Sequence, residues 1–222
     1  MNSTQLQADP AIARFARYLE AERDASRHTV AAYLADLAQF ISACWGPESQ
    51  PPYAWASVDT FAARKFVVGC HKQSAAASTI NRKVSSLRSF FRFLNREELC
   101  SQNPFGSVLS LKRGKPLPRV LTTRDVERLL AAPRQLAEAE AGPAPDARRR
   151  RWLEYAALRD TAILEILYST GMRLSELTGL REAQVDLLAG VAKVRGKGKK
   201  ERLCLLGKPA CSALQAALAA RA

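Results

Sequence analysis

The sequence predicts a mainly α-helical protein in two parts, the second carrying one small β-hairpin sheet. Three observations predict it. Apolar residues recur at helical spacing through the first hundred residues, with no convincing strand pattern. The stretch 103–118 then loses that periodicity and holds three prolines and two glycines. Further on, Val191–Arg195 and Arg202–Leu206 alternate like short strands around Gly196-Lys197-Gly198-Lys199, whose glycines permit the positive φ angles of a tight hairpin.

The elements follow in order. Ile12, Phe15, Tyr18 and Leu19 place a helix over 11–22, and Val30, Tyr33, Leu34, Leu37, Phe40 and Ile41 a second over 28–44. Gly46, Pro47, Pro51 and Pro52 break the chain before a third helix at 58–71. A fourth starts at Ser78 or Thr79 and ends near Asn95, with Ile80, Val84, Leu87, Phe90, Phe91 and Leu94 inward. Phe93 sits off that stripe, yet all three phenylalanines read as core rather than as base-stacking groups. The polar face of this helix carries Arg82, Lys83, Arg88 and Arg92, a surface able to lie against a DNA backbone or simply to be solvated. The stretch 103–118 reads as an interdomain linker. Thr122, with Asp125 three residues on, announces the next helix as in a capping box. Residues 133–151 read as an Ala-, Glu-, Pro- and Arg-rich insertion, a mobile loop with or without a helical extension. Its closing run, Arg148 to Arg151, suits phosphates or plain solvation. A helix over 152–169 ends at Gly171, a short helix begins at Arg173 or Leu174, and an alanine-rich helix occupies 211–222.

Bulk numbers narrow the function classes. The 222 residues are 47% hydrophobic, enough for a real core. No apolar run reaches membrane-span length, and MNSTQLQADP lacks the pattern of a signal peptide, so a cytoplasmic protein is expected. The net charge is +13; residues 1–115 carry 15 basic against 9 acidic side chains, and 116–222 carry 19 against 12. Both parts are basic, which favours a polyanion touched by each, nucleic acid before others. Five cysteines with no C-x-x-C, and two histidines, fit neither a disulfide framework nor a zinc site, so no metal or cofactor is expected.

Several motifs together resemble the tyrosine recombinases of the phage integrase family, in the style of their bacterial XerC/XerD group. SRHTVAAYLADLAQF and STINRKVSSLRSFFRFL resemble the family's N-terminal core-binding domain, and LPRVLTTRDVERLL the start of its catalytic domain. GMRLSELTGL resembles the segment holding its first catalytic arginine, and VRGKGKKERLCLLG the hairpin holding its catalytic lysine. The last two, in this order and at this separation, are the specific signal. The resemblance implies a four-helix SAM-like core-binding domain over 5–102, a linker at 103–118, and the N-terminal part of an incomplete α+β catalytic domain over 119–222.

It also implies chemistry. The family attacks a phosphodiester with a tyrosine hydroxyl, forms a 3′-phosphotyrosine link and releases a 5′-hydroxyl, without metal or ATP. Side chains must then neutralise the phosphate charge. Arg173 maps onto one of two arginines that hold the non-bridging oxygens, where a planar, always-charged guanidinium fits; its bland alternative is an i,i+3 pair with Glu176. A nearby helix start would add amide donors. Lys197 maps onto the lysine that protonates the leaving oxygen, selected from its basic neighbours only by register. Arg195, Lys199, Lys200 and Arg202 read as phosphate grips, with Arg82, Lys83 and Arg88 doing the same from the first domain. Glu176 is expected to orient a basic neighbour, and Asp186 to be structural. The family's H-x-x-R segment, its later histidine or tryptophan and its nucleophile find no counterpart, because Tyr18, Tyr33, Tyr53, Tyr155 and Tyr168 all precede the hairpin. This chain alone is expected to bind double-stranded DNA, clamped by both parts, and not to cleave it. Chromosome dimer resolution beside a second recombinase subunit in a tetramer, on the nucleoid, is the favoured role. The alternative is a non-catalytic DNA-binding regulator or architectural protein on the same fold.

Overall fold

The computed structural model describes residues 3–112, 114, 117–142, 146–196 and 201–221, and the chain divides into two compact units, Met1–Pro116 and Leu117–Ala222. Among the described residues no helix is long and apolar enough to cross a membrane.

Unit 1 is helical: α1 (Ser3–Gln7), α2 (Pro10–Ala21), α3 (Arg27–Trp45), α4 (Thr60–Lys72) and α5 (Ala77–Arg96). The sequence reading gains α1 and a single 3₁₀ turn, Trp55–Ser57, just before the expected start of the third helix at 58. That helix starts later because Asp59 caps it, its carboxylate accepting from Ala62 N at 2.8 Å. The core is aromatic. Phe15, Phe40, Phe90, Phe91 and Phe105 are fully buried. Phe90 lies 4.7 Å from Trp55 and 5.1 Å from Phe15 between ring centroids, both edge-on, the favoured geometry for rings. Phe93 is core as expected, stacked on Tyr18 at 5.1 Å.

One buried carboxylate ties this core together. Asp9, 1% exposed, caps α2 by accepting from Ala11 N and Ile12 N. It also accepts from Tyr53 N at 3.0 Å and from Trp55 Nε1 at 3.2 Å, so the loop before α4 is anchored to the start of α2. Asp9→Ala is expected to cost unit 1 about 3 kcal/mol, since a lost N-cap costs about 1 and each stranded buried donor about 1–3; urea unfolding measures it.

The stretch expected to be a linker begins inside this core. Phe105 is 0% and Val108 9% exposed. Arg88 Nε donates to Phe105 O at 3.0 Å and its Nη2 to Val108 O at 2.7 Å. Asn81 closes a two-way amide bond with the backbone of Leu111, at 2.8 and 2.9 Å. Residues 103–111 are thereby strapped along α5, because burying one phenylalanine and satisfying its flanking carbonyls outweighs leaving them in water.

Unit 2 holds α6 (Thr123–Ala141), α7 (Ala147–Thr170), α8 (Leu174–Thr178), β1 (Val185–Asp186), β2 (Val191–Arg195), β3 (Glu201–Leu205) and α9 (Lys208–Arg221). The expected capping box is present: Thr122 Oγ1 accepts from Asp125 N, and Thr122 N donates to Asp125 Oδ2. The insertion is a correction. Most of it is helix, α6 running through Pro133 to Ala141 and α7 starting at Ala147 on an Asp146 cap. The Ala, Leu, Glu, Gln and Arg that looked like low complexity are strong helix formers, and the two helices pack on one another as a hairpin. Gly171 closes α7 at φ 58°, as its lack of a Cβ allows.

The sheet is antiparallel in the order β1-β2-β3, one short strand more than the hairpin read from sequence. Asp186, as expected, is structural: Oδ1 accepts from Leu188 N and Ala189 N in the following turn. Ala192, Val194 and Cys204 face a small core with Ile166, Met172, Leu206 and Ala210. The register pairs Val194 with Arg202 and Arg195 with Glu201. Opposed residues share a face, so Arg202 points inward with Val194 while Arg195 points outward.

Candidate functional site

The inward aim of Arg202 builds the site. Its Nη1 and Nη2 donate to Glu176 Oε1 at 2.7 Å and Oε2 at 2.9 Å, a planar fork meeting a planar carboxylate. Glu176, 7% exposed, takes two further bonds from Arg173: the backbone N at 2.7 Å and Nη1 at 3.0 Å. One carboxylate therefore joins the cap of α8 to β3, the strand on the far arm of the hairpin. The Arg202 fork above all, then the Arg173 amide and guanidinium, hold the Glu176 carboxyl down at about 2.

Arg173 itself stays outward. Its side chain is 68% exposed, and beyond Glu176 it has no partner among the described residues. A guanidinium held by one edge and open on the other is positioned to take an oxygen anion without first being ordered. The i,i+3 pair with Glu176, weighed from sequence as an alternative to a phosphate role, coexists with this geometry. At the start of the five-residue α8 the Arg173 amide is taken by Glu176.

Lys197, Lys199 and Lys200 lie outside the described residues. Arg195 is exposed at the end of β2, and Lys193 pairs across the ladder with Glu201 at 2.7 Å, which lowers the Glu201 carboxyl below its usual range.

The basic face expected on α5 is largely used within unit 1. Arg82 forks onto Asp36 of α3 at 2.5 and 2.8 Å, with Asp36 1% and Arg82 48% exposed at the side chain. Lys83 is buried and its Nζ donates to Gln39. Arg88 holds the strap just described. Helical periodicity identifies a polar face but not what lies across from it, and here α3 and residues 103–111 lie across from it. Sequence reasoning missed Asp36 and Gln39; Asp36, buried between Leu34 and Leu37 on α3, carried the signal of a polar residue on an apolar helix face. Among the described residues no three His, Cys, Asp or Glu side chains gather as metal ligands.

The chain thus pairs a helical unit with a second unit that carries a three-stranded sheet and an exposed arginine braced by a buried glutamate. The chain belongs to the phage integrase, or tyrosine recombinase, family: residues 12–98 match "Phage integrase, N-terminal SAM-like domain" and residues 119–222 match "Phage integrase family". Within it the chain is XerC/XerD-like. It is 36% identical to Tyrosine recombinase XerC of Syntrophus aciditrophicus over 211 residues, covering 93% of this chain and 63% of that protein. To XerC of Azotobacter vinelandii it is 35% identical over 217 residues, covering 98% and 65%. The chain thus spans less than two thirds of the length of these relatives. Its fold is similar to that of the Tn1549 transposon integrase in complex with a circular intermediate DNA (TM-score 0.64, 18% identity, 92% of this chain and 63% of that one). It is also similar to a lambda integrase dimer bound to a COC′ core site (TM-score 0.59, 17% identity, 88% and 47%).

Proposed function

We propose that this chain is the DNA-holding unit and the first part of the phosphate-holding machinery of a site-specific recombinase that cuts and rejoins DNA through a 3′-phosphotyrosine. The observation that carries the reading is Arg173: exposed, always charged, and braced by Glu176 against β3. In the reaction its free edge takes a non-bridging oxygen of the scissile phosphate, where charge builds as the tyrosine oxygen attacks. Lys197, carried over from the family hairpin, donates the proton to the departing 5′-oxygen. The attacking tyrosine is not one of the five present: Tyr53 is buried, Tyr18 and Tyr33 pack on the unit 1 core, and Tyr155 and Tyr168 lie on α7 ahead of the site. The similarity to XerC supports a XerC-type role, chromosome dimer resolution beside a second recombinase subunit in a tetramer on DNA.

The test has two arms. The 222-residue chain is expected to bind duplex DNA with steep salt dependence and to leave no covalent adduct on a nicked suicide substrate. In the protein extended through a tyrosine-bearing segment, Arg173→Ala is expected to slow cleavage about 10²–10³-fold while most binding persists. An adduct formed by the 222-residue chain, or unimpaired cleavage by the variant, sinks the reading.

A further inference from the structure

The first turns of α7 carry a feature the proposed reaction does not use. Arg148, Arg149, Arg150 and Arg151 are all exposed, and among the described residues none is within ion-pair distance of a carboxylate. Arg149 closes the helical hairpin, its Nη2 donating to Glu140 O at 3.2 Å. The inward face of this part of α7 is set by Leu153 and Ala157, both buried. At 100° per residue, Arg148, Arg151, Trp152, Tyr155 and Arg159 fall together on the opposite side. Trp152 is 60% exposed, and the Arg159 guanidinium lies 6.0 Å from the Tyr155 ring.

Stability does not account for this composition. Cations at a helix N-terminus oppose its dipole, where acidic residues would help. Four adjacent arginines also repel one another, and an exposed tryptophan gains nothing by burial.

We propose that this face of α7 is a DNA-contact surface separate from the Arg173 site, with Arg148 and Arg151 each holding a phosphate of the sugar–phosphate backbone. Guanidinium forks match phosphate oxygens in pairs. The overall charge of +13 favours a polyanion over a second copy of the chain. The two side chains a helical turn apart reach one flat ligand, whereas Arg149 is engaged with the Glu140 carbonyl across the hairpin. The proposal rests on the chain meeting DNA and is independent of strand cleavage.

The experiment compares salt titrations of DNA binding for the intact chain, the double variant Arg148→Gln/Arg151→Gln, and Arg124→Gln/Arg128→Gln, which removes the same charge from α6. The slope of log K against log salt is expected to flatten by about 1.8 on duplex DNA for the α7 pair, about 0.9 per phosphate released, and by less than half that for the α6 pair. The α7 variant is expected to melt no lower than the parent, since the removed charges opposed the helix dipole, so weaker binding is not unfolding. Trp152→Phe separates duplex from single strands: unchanged duplex binding with weakened single-strand binding assigns the face to splayed DNA as well. Equal slopes for the two double variants, or no flattening, overturn the proposal. Failure of the parent to bind DNA at all overturns both this and the recombinase reading, whereas cleavage results bear on the latter alone.

Discussion

Replacing Glu176 by glutamine is expected to lower the melting temperature of unit 2 and to release both arginines that the carboxylate holds. Glu176 receives four N–H donors, two from Arg173 and two from Arg202. A glutamine offers one acceptor oxygen and turns an NH₂ toward guanidinium donors, so at least two contacts become repulsive. The charge that balances two cations is lost with it. A drop on the order of 5–10 °C is expected, read by calorimetry, with Glu176→Asp intermediate because it keeps the charge and loses reach. The acid dependence supplies a second readout. The folded state holds this carboxyl at about 2 against an ordinary value near 4.5, so its contribution is complete above about 4.5 and disappears as pH falls toward 2. The gap between parent and glutamine variant should close over that window. A constant gap from pH 6 to pH 2 would show that the glutamate acts through shape rather than charge. If α8 is freed from β3, Arg173 also loses its brace, and in the longer protein cleavage should fall further than DNA binding.

Phe105→Ala is expected to unfold unit 1 more readily by about 3–5 kcal/mol, the usual cost of emptying a buried phenylalanine site. Phe105 packs edge-on at 5.3 Å from Phe40 and tilted at 5.8 Å from Phe91, and Arg88 and Asn103 fix the backbone around it. Urea unfolding on a Trp152→Phe background reads it cleanly, since Trp45 and Trp55 then report unit 1 alone. A shift under about 1 kcal/mol would mean that residues 103–111 detach at little cost and behave as the free connection their composition predicts. The same reasoning warns against trimming unit 1 at residue 102, where a boundary drawn from sequence falls.

The helices of unit 1 were legible because each buries a stripe whose period is that of the helix itself; α2, α3 and α5 lie within a residue or two of their expected bounds. The capping box at Thr122, the stop at Gly171 and the paired strands were equally legible, being local chemistry of a few adjacent residues. Family membership was carried by the arginine segment and the hairpin. Residues 133–151 misled because a proline and a run of one charge look like punctuation, while pairing with α7 supplies the packing that keeps α6 helical through Pro133.

The sequence alone determined where cations stand along each helix and strand, and that Glu176 follows Arg173 at i+3. Only the tertiary structure decided which of those cations are free. Arg82, Lys83, Arg88 and Arg202 are committed to Asp36, Gln39, the backbone after α5 and Glu176, whereas Arg173, Arg148 and Arg151 face outward. The reason is physical: a side chain's own position follows from the local backbone, but its partner comes from a segment dozens of residues away, chosen when the cores close. A guanidinium fork can serve a buried carboxylate or a phosphate, and nothing in its own stretch of sequence distinguishes the two.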